Sequence, residues 1–173
     1  DNGDPDYSTS GAAWNEQVWT FGDDTLYFQR DQDVLLGGDL PGVNTATWTF
    51  DNLGAGTYQV ATHWLNHSGY ASNAQITIAG IEGGPITVTL DQRFYPQGFS
   101  ADGSIWQELG NFQVAAGNTL TVTISDDGAN GNLAADAMRL ELLTPGSTAP
   151  EIDVAAGATA LTSGVSSIDL GTA

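Results

Sequence analysis

Two histidines, many carboxylates and a scatter of loop aromatics are the side chains of this chain that could do chemistry. His63 and His67 are the only histidines, and Ser68 follows directly. On a strand, His63 would face opposite Trp64 and lie exposed beside the loop bearing His67. A nucleophile–base pair also needs an orienting carboxylate, an oxyanion hole and, in the common hydrolase form, a strand–turn–helix elbow; no such elbow is present. No catalytic residue is assigned, and the chain is expected not to be an enzyme. Paired carboxylates are plentiful, but without a cleft they do not define a glycosidase pair.

The same carboxylates raise the question of Ca²⁺, a hard cation that takes oxygen ligands. Asp4 and Asp6 near the start could meet Asp126, Asp127 and Asp136 if the first and last strands are neighbours. Asp4 and Asp136 are the metal candidates, and no other cofactor is expected. There is no EF-hand spacing with a closing Glu. The plainer reading has Asp1, Asp4 and Asp6 shaping turns through bonds to nearby backbone N–H groups, with Asp136 satisfying a buried loop.

Sugar recognition is the third chemistry. An aromatic ring can take the C–H face of a pyranose while amides and carboxylates bond the hydroxyls. Trp14, Trp19, Tyr70, Tyr95, Phe99 and Trp106 are loop aromatics of the right type, with Asn66, His67 and Asn73 as polar partners. The candidate carbohydrate set is Tyr70, Tyr95, Trp106, Asn73 and His67. The competing role for any one aromatic is core packing or loop anchoring, as alternation assigns to Trp48 and Tyr58. Asn66-His67-Ser68 also has the form of an N-glycosylation acceptor.

The elements that must position these residues are strands. Ala46, Trp48 and Phe50 alternate with Thr45, Thr47 and Thr49; Tyr58, Val60, Thr62 and Trp64 alternate with Gln59, Ala61 and His63. Further strands are expected around Ile76 and Ile78, from Ile86 to Leu90, around Phe112 and Val114, around Leu120, Val122 and Ile124, and over 137–143 with Met138, Leu140 and Leu142 inward. Gly, Asn, Asp and Pro punctuate the gaps, and no segment has a helical period. The fold class is all-β, an antiparallel sandwich of two sheets, jelly-roll-like, with an extended C-terminal tail. Residues 1–143 form the module, with 1–44 as loops and short edge strands. Residues 144–150 read as a linker, and 151–173 as a tail too short to bury its own core.

Composition narrows the function classes. Of 173 residues, 40% are hydrophobic and 14% charged, which excludes a charge-driven disordered chain. Asp and Glu number 21 against Arg30, Arg93 and Arg139, a net charge of −18. Nucleic acid and anionic membrane surfaces are therefore not expected partners, because binding either needs cationic side chains. No apolar run approaches the roughly 20 residues that span a bilayer. Cys is absent, so there is no disulfide framework. The chain opens at Asp1 with neither an initiator Met nor a signal peptide, which suggests a processed product or an excised segment.

An ordered series of motifs resembles the golvesin C-terminal-like domains, also described as xanthan-lyase carbohydrate-binding-like. The series runs from Asp1-Asn2-Gly3-Asp4-Pro5-Asp6-Tyr7-Ser8-Thr9-Ser10-Gly11, through Ala46-Thr47-Trp48-Thr49-Phe50 and Leu53-Gly54-Ala55-Gly56-Thr57-Tyr58-Gln59-Val60. It continues with Trp64, Asn73-Ala74, Trp106-Gln107-Glu108-Leu109-Gly110, Ser125-Asp126-Asp127-Gly128-Ala129-Asn130-Gly131 and Ala135-Asp136-Ala137-Met138-Arg139-Leu140. The resemblance implies a β-sandwich module of large secreted or cell-surface proteins, without catalysis of its own. Two departures stand out. Members commonly carry an Arg just before the Asn-Ala position, where this chain has Tyr70-Ala71-Ser72. They also usually have a short apolar strand before the Asp-Asn-Gly-Asp motif, which suggests an incomplete sheet here. The tail resembles the start of an immunoglobulin-like anchoring repeat.

The expected function is a non-catalytic extracellular or cell-surface module that assembles head-to-tail into a fibre through its tail. Ile152, Val154, Ile168 and Leu170 have the alternation of a strand that docks on a neighbouring copy's sheet edge. Folding of the tail onto its own sandwich is the alternative docking. The alternative function is a carbohydrate-binding module that holds a polysaccharide for an attached enzyme or adhesin. The expected partners are thus a second copy of the chain or a polysaccharide, with no nucleic acid and no membrane insertion.

Overall fold

The computed structural model describes residues 5–11, 14–18, 31–35, 43–146, 154–156 and 159–161. They form fourteen strands and, among the described residues, no helix. β1 (Tyr7–Ser10), β4 (Thr45–Phe50), β10 (Leu120–Ser125), β6 (Ala74–Ala79) and β7 (Ile86–Leu90) make a five-stranded sheet in the order β1-β4-β10-β6-β7. β12 (Ala137–Pro145), β5 (Gly56–His63), β9 (Ser104–Val114) and β8 (Phe99–Ala101) make a four-stranded sheet in the order β12-β5-β9-β8. All these ladders are antiparallel, as a sandwich of two sheets requires. β2 (Trp14–Val18), β3 (Asp31–Leu35) and β11 (Leu133–Ala135) form a small third sheet in the order β11-β3-β2, and β13 (Val154–Ala156) pairs with β14 (Thr159–Leu161).

Alternation builds the core. Ala46 and Trp48, Val60, Ile76 and Ile78, and Leu120, Val122 and Ile124 point inward and are buried. The opposite face of the five-stranded sheet is paved with hydroxyls. One row reads Ser8, Thr47, Thr123, Thr77, Thr87 across all five strands, and the next reads Ser10, Thr45, Ser125, Gln75, Thr89. The third, shorter row is Thr49, Thr121 and Ala79. Thr47 and Thr123 share a 3.0 Å hydroxyl bond, and Thr77 and Thr87 one of 2.9 Å. β-Branched Thr fits a pleated surface and supplies polarity without charge.

Strand ends differ from the sequence expectation in three places. β12 runs through Thr144 and Pro145, which pair with Thr57 and Gly56 beyond a bulge at Leu142/Thr144, so the expected linker begins inside a strand. Leu142, expected to point inward, is 44% exposed because this end of the edge strand lies outside the core. β9 starts at Ser104, well before Phe112, as the second arm of a hairpin with β8.

That hairpin turns through Asp102 and Gly103, whose φ values of 52° and 77° match the type I′ geometry that Asp-Gly favours. It then reaches back over the outer face of the four-stranded sheet. The Asp102 carboxylate accepts from Arg139 Nε at 3.1 Å, and the Arg139 guanidinium stands 5.6 Å from the Phe99 ring centre. Asp102→Ala should cost about 1–2 kcal/mol, mostly through a left-handed φ that Ala resists, while Asp102→Gly should cost less. Thermal melting of the two variants checks this; equal losses would put the effect in the ion pair instead.

Candidate functional site

The registers gather the chemistry-bearing residues at one end of the sandwich. Ala74 pairs with Leu90, Gln75 with Ser125, Thr45 with Ser125, His63 with Ala137 and Thr62 with Gln107. β5, β7 and β10 therefore finish, and β4, β6, β9 and β12 begin, at the same end. The loops 64–73, 91–98 and 126–132 all belong to it.

Buried polar groups hold these loops. Asp126 is 2% exposed and accepts from Asn44 N at 2.7 Å and Asn44 Nδ2 at 2.5 Å, while its own amide donates to Asn44 O. Gln92 is 1% exposed. Its Nε2 donates to Ala134 O at 2.8 Å and its Oε1 accepts from Ala134 N at 3.0 Å, so the side-chain amide pairs with β11 as a neighbouring strand would. The Gln92 amide donates to Ala71 O, and Trp64 Nε1 donates to both Gln92 O and Phe94 O. Asn66 Nδ2 reaches Arg93 O at 3.1 Å. Loop 91–98 is thus pinned from three directions.

That pinned loop carries the most exposed aromatics among the described residues: Phe94 is 58% and Tyr95 54% exposed. Arg93 stands 5.8 Å from the Phe94 ring centre and forms a two-point pair with Asp91, at 2.8 Å from Nε and 2.6 Å from Nη2. The side-chain bond from Arg93 holds the Asp91 carboxyl below the usual aspartate range. Because the carboxyl titrates lower folded than unfolded, its contribution is present at neutral pH and is lost in acid. His67 is exposed one residue beyond Asn66; its Nδ1 accepts from Gly69 N at 3.1 Å, which places the proton of the neutral ring on Nε2.

The five carbohydrate candidates divide. Tyr95 and His67 are exposed on the two loops joined by Asn66. Tyr70, expected as a loop aromatic open to a sugar, is only 5% exposed: it packs with Trp64 and Ala134, and its backbone bridges to Asn132. Asn73 is half-buried and spent on the loop opposite, donating to Gly128 O and accepting from Asn130 N. The 126–132 motif thus shapes a loop that clasps loop 64–73. Trp106 is 8% exposed, and its indole N–H donates to Ala101 O within the β8–β9 hairpin.

His63 is likewise not exposed, contrary to expectation. Alternation does place it on the outer face, but the β8–β9 hairpin covers that face, and His63 is 6% exposed beside Trp106. Its Nδ1 lies 2.7 Å from Ile105 O, and its Nε2 lies 3.7 Å from Asp136 Oδ2. Asp136 therefore faces an imidazole, and no group of three or more His, Asp or Glu that could hold a metal occurs among the described residues. Asp4 lies outside the described residues. So do Ile152, Ile168 and Leu170 of the expected assembly strand; Val154 lies in β13, in register with Leu161 of β14.

Sequence reasoning passed over Phe94, Gln92 and Asn44. The pair Phe94-Tyr95 ahead of Pro96 and Gly98 was the available signal for an exposed aromatic loop. Nothing local marks Gln92, whose partner is 42 positions away.

Together these features define a two-sheet β-sandwich module with an elaborated, polar-pinned loop end. The chain belongs to the golvesin C-terminal domain family, whose model matches residues 1–142. Among solved structures it is similar to a Paenibacillus xanthan lyase, at 26% identity and a TM-score of 0.63 over 82% of this chain. The chain spans 12% of that protein's length. No curated protein matches it. No helix among the described residues is long and apolar enough to cross a membrane.

Proposed function

We propose that this is a non-catalytic, extracellular or cell-surface module whose loop end holds a polysaccharide for the protein that carries it. The observation behind this reading is an exposed Phe94–Tyr95 pair on a loop pinned by Trp64, Asn66 and Gln92. Large rings held out in water by a rigid backbone are preorganised for contact, since little further ordering is needed on binding. Asp91, Arg93 and His67 lie on the same two loops and offer hydroxyl-bonding groups. The similarity to a small part of a xanthan lyase supports an accessory role. Tyr95→Ala or Phe94→Ala should weaken retention in polysaccharide-containing gels about tenfold, the effect of losing roughly 1.4 kcal/mol of contact, while melting within about 1–2 °C of the parent. Unchanged retention in both variants would move the site elsewhere.

Head-to-tail assembly is the second reading, favoured by the β13–β14 hairpin. A two-stranded hairpin is marginal alone, so it is stabilised by a surface to pack on. A neighbouring copy would offer one. Truncation after Gly146 should then convert polymers to monomers in sedimentation velocity, with the sandwich still folded; polymers that survive truncation would end this reading.

A further inference from the structure

We infer that the ligand is an electrically neutral polysaccharide, and that its chain passes from the Phe94–Tyr95 loop across the uncharged hydroxyl face of the five-stranded sheet. The inference rests on the polysaccharide reading above and adds ligand class and footprint.

Two independent observations carry it. The first is that, among the described residues, no Lys or Arg is uncommitted. Of the three arginines in the sequence, Arg93 is paired with Asp91, and Arg139 with Asp102 and Glu141. Arg30 lies outside the described residues. A uronate polymer approaching this end meets a protein of net charge −18 and two arginines already neutralised. Coulombic repulsion then opposes binding, most strongly at low salt.

The second is the sheet face beside the loop. The chain carries 21 Asp and Glu, yet the outward rows of the five strands hold none, only Ser, Thr, Gln and Ala. A solubilising surface on so acidic a chain would be expected to carry its share of carboxylates. Within the strands this broad face carries hydroxyls that can both donate and accept, complementary to the hydroxyls of an uncharged sugar, while Asp6 opposite Thr49 and Asp51 beside Thr119 stand at its margin away from the loop. The face leads into the loop: Thr89, exposed on β7, is separated from Asp91 by Leu90 alone. Neighbouring strands stand about 4.8 Å apart, so an extended chain crossing them would meet a hydroxyl at each.

Affinity electrophoresis of the whole chain tests this, using gels of neutral hydroxyethyl cellulose or galactomannan and of the polyuronate alginate. Wild type, Tyr95→Ala and the double variant Thr87→Glu/Thr89→Glu are compared at low and high salt, with Ca²⁺ or a chelator. The expected result is retention by a neutral gel that salt barely alters, a tenfold or greater loss in either variant, and no retention by alginate. Loss in Tyr95→Ala with full retention of the Thr87→Glu/Thr89→Glu form overturns the sheet-face footprint while the loop reading stands. Retention by alginate alone, with or without Ca²⁺, overturns the neutral class; if Tyr95→Ala abolishes it, the loop reading still stands. No retention by any gel overturns both. A change of oligomeric state in the Thr87→Glu/Thr89→Glu form, with retention unchanged, would make the face a self-association surface and likewise overturn the proposal.

Discussion

Gln92→Ala should destabilise the fold by about 3 kcal/mol and lower the melting temperature by roughly 6–12 °C. The side chain is buried and makes two bonds to one residue, to Ala134 N and to Ala134 O. Ala134 is itself 3% exposed, so its N–H and C=O cannot turn to water when the amide is removed. Each buried backbone group left unpaired costs about 1–3 kcal/mol. Gln92→Glu should not rescue, because it keeps the acceptor for Ala134 N but sets a carboxylate oxygen against Ala134 O. Hydrogen exchange at the Ala134 amide should rise well before global unfolding, and retention on polysaccharide should fall with it, since Gln92 also anchors the aromatic loop. A loss below about 1 kcal/mol in Gln92→Ala would mean that β11 repairs its edge in another way.

Leu120→Ala should cost a similar amount, about 2–5 kcal/mol, by a different route. Leu120 is fully buried at the start of β10, in register with Phe50 and within the main core. Truncation loses the transfer free energy of three carbons and leaves a cavity between sheets whose ladders restrain collapse. Leu120→Val should recover much of the loss, because a β-branched side chain suits the strand and refills part of the space. The polysaccharide end should keep its affinity in folded Leu120→Ala, since the nearest strand end there is the opposite one. Denaturant melts and binding at low temperature separate this variant from Gln92→Ala, where stability and affinity should fall together.

The contrast between these two positions marks where sequence reading works on this protein. Leu120, Val122 and Ile124 were legible because a pleated strand repeats every two residues, and burial of one face imprints that period on the chain. The same rule found β4 through β7 and placed Thr45, Thr47 and Thr49 outward. The motif series likewise pointed to the golvesin C-terminal family, because turn residues and core aromatics recur at intervals that the sandwich imposes.

The loop end was legible only as a collection of residue types. Tyr70 and Tyr95 are both loop tyrosines, yet one is 5% and the other 54% exposed, and no local pattern separates them. The difference arises because Tyr70 bridges to Asn132 and packs with Ala134, contacts between segments far apart in the chain. His63 was misplaced for a related reason: alternation assigns a side chain to a face but does not say whether another hairpin covers that face. Strand period is a local property of the backbone and can be read from the order of residues alone. Which loops meet, which polar groups they satisfy and which rings are left in water depend on contacts across the chain, and only the tertiary structure decides them.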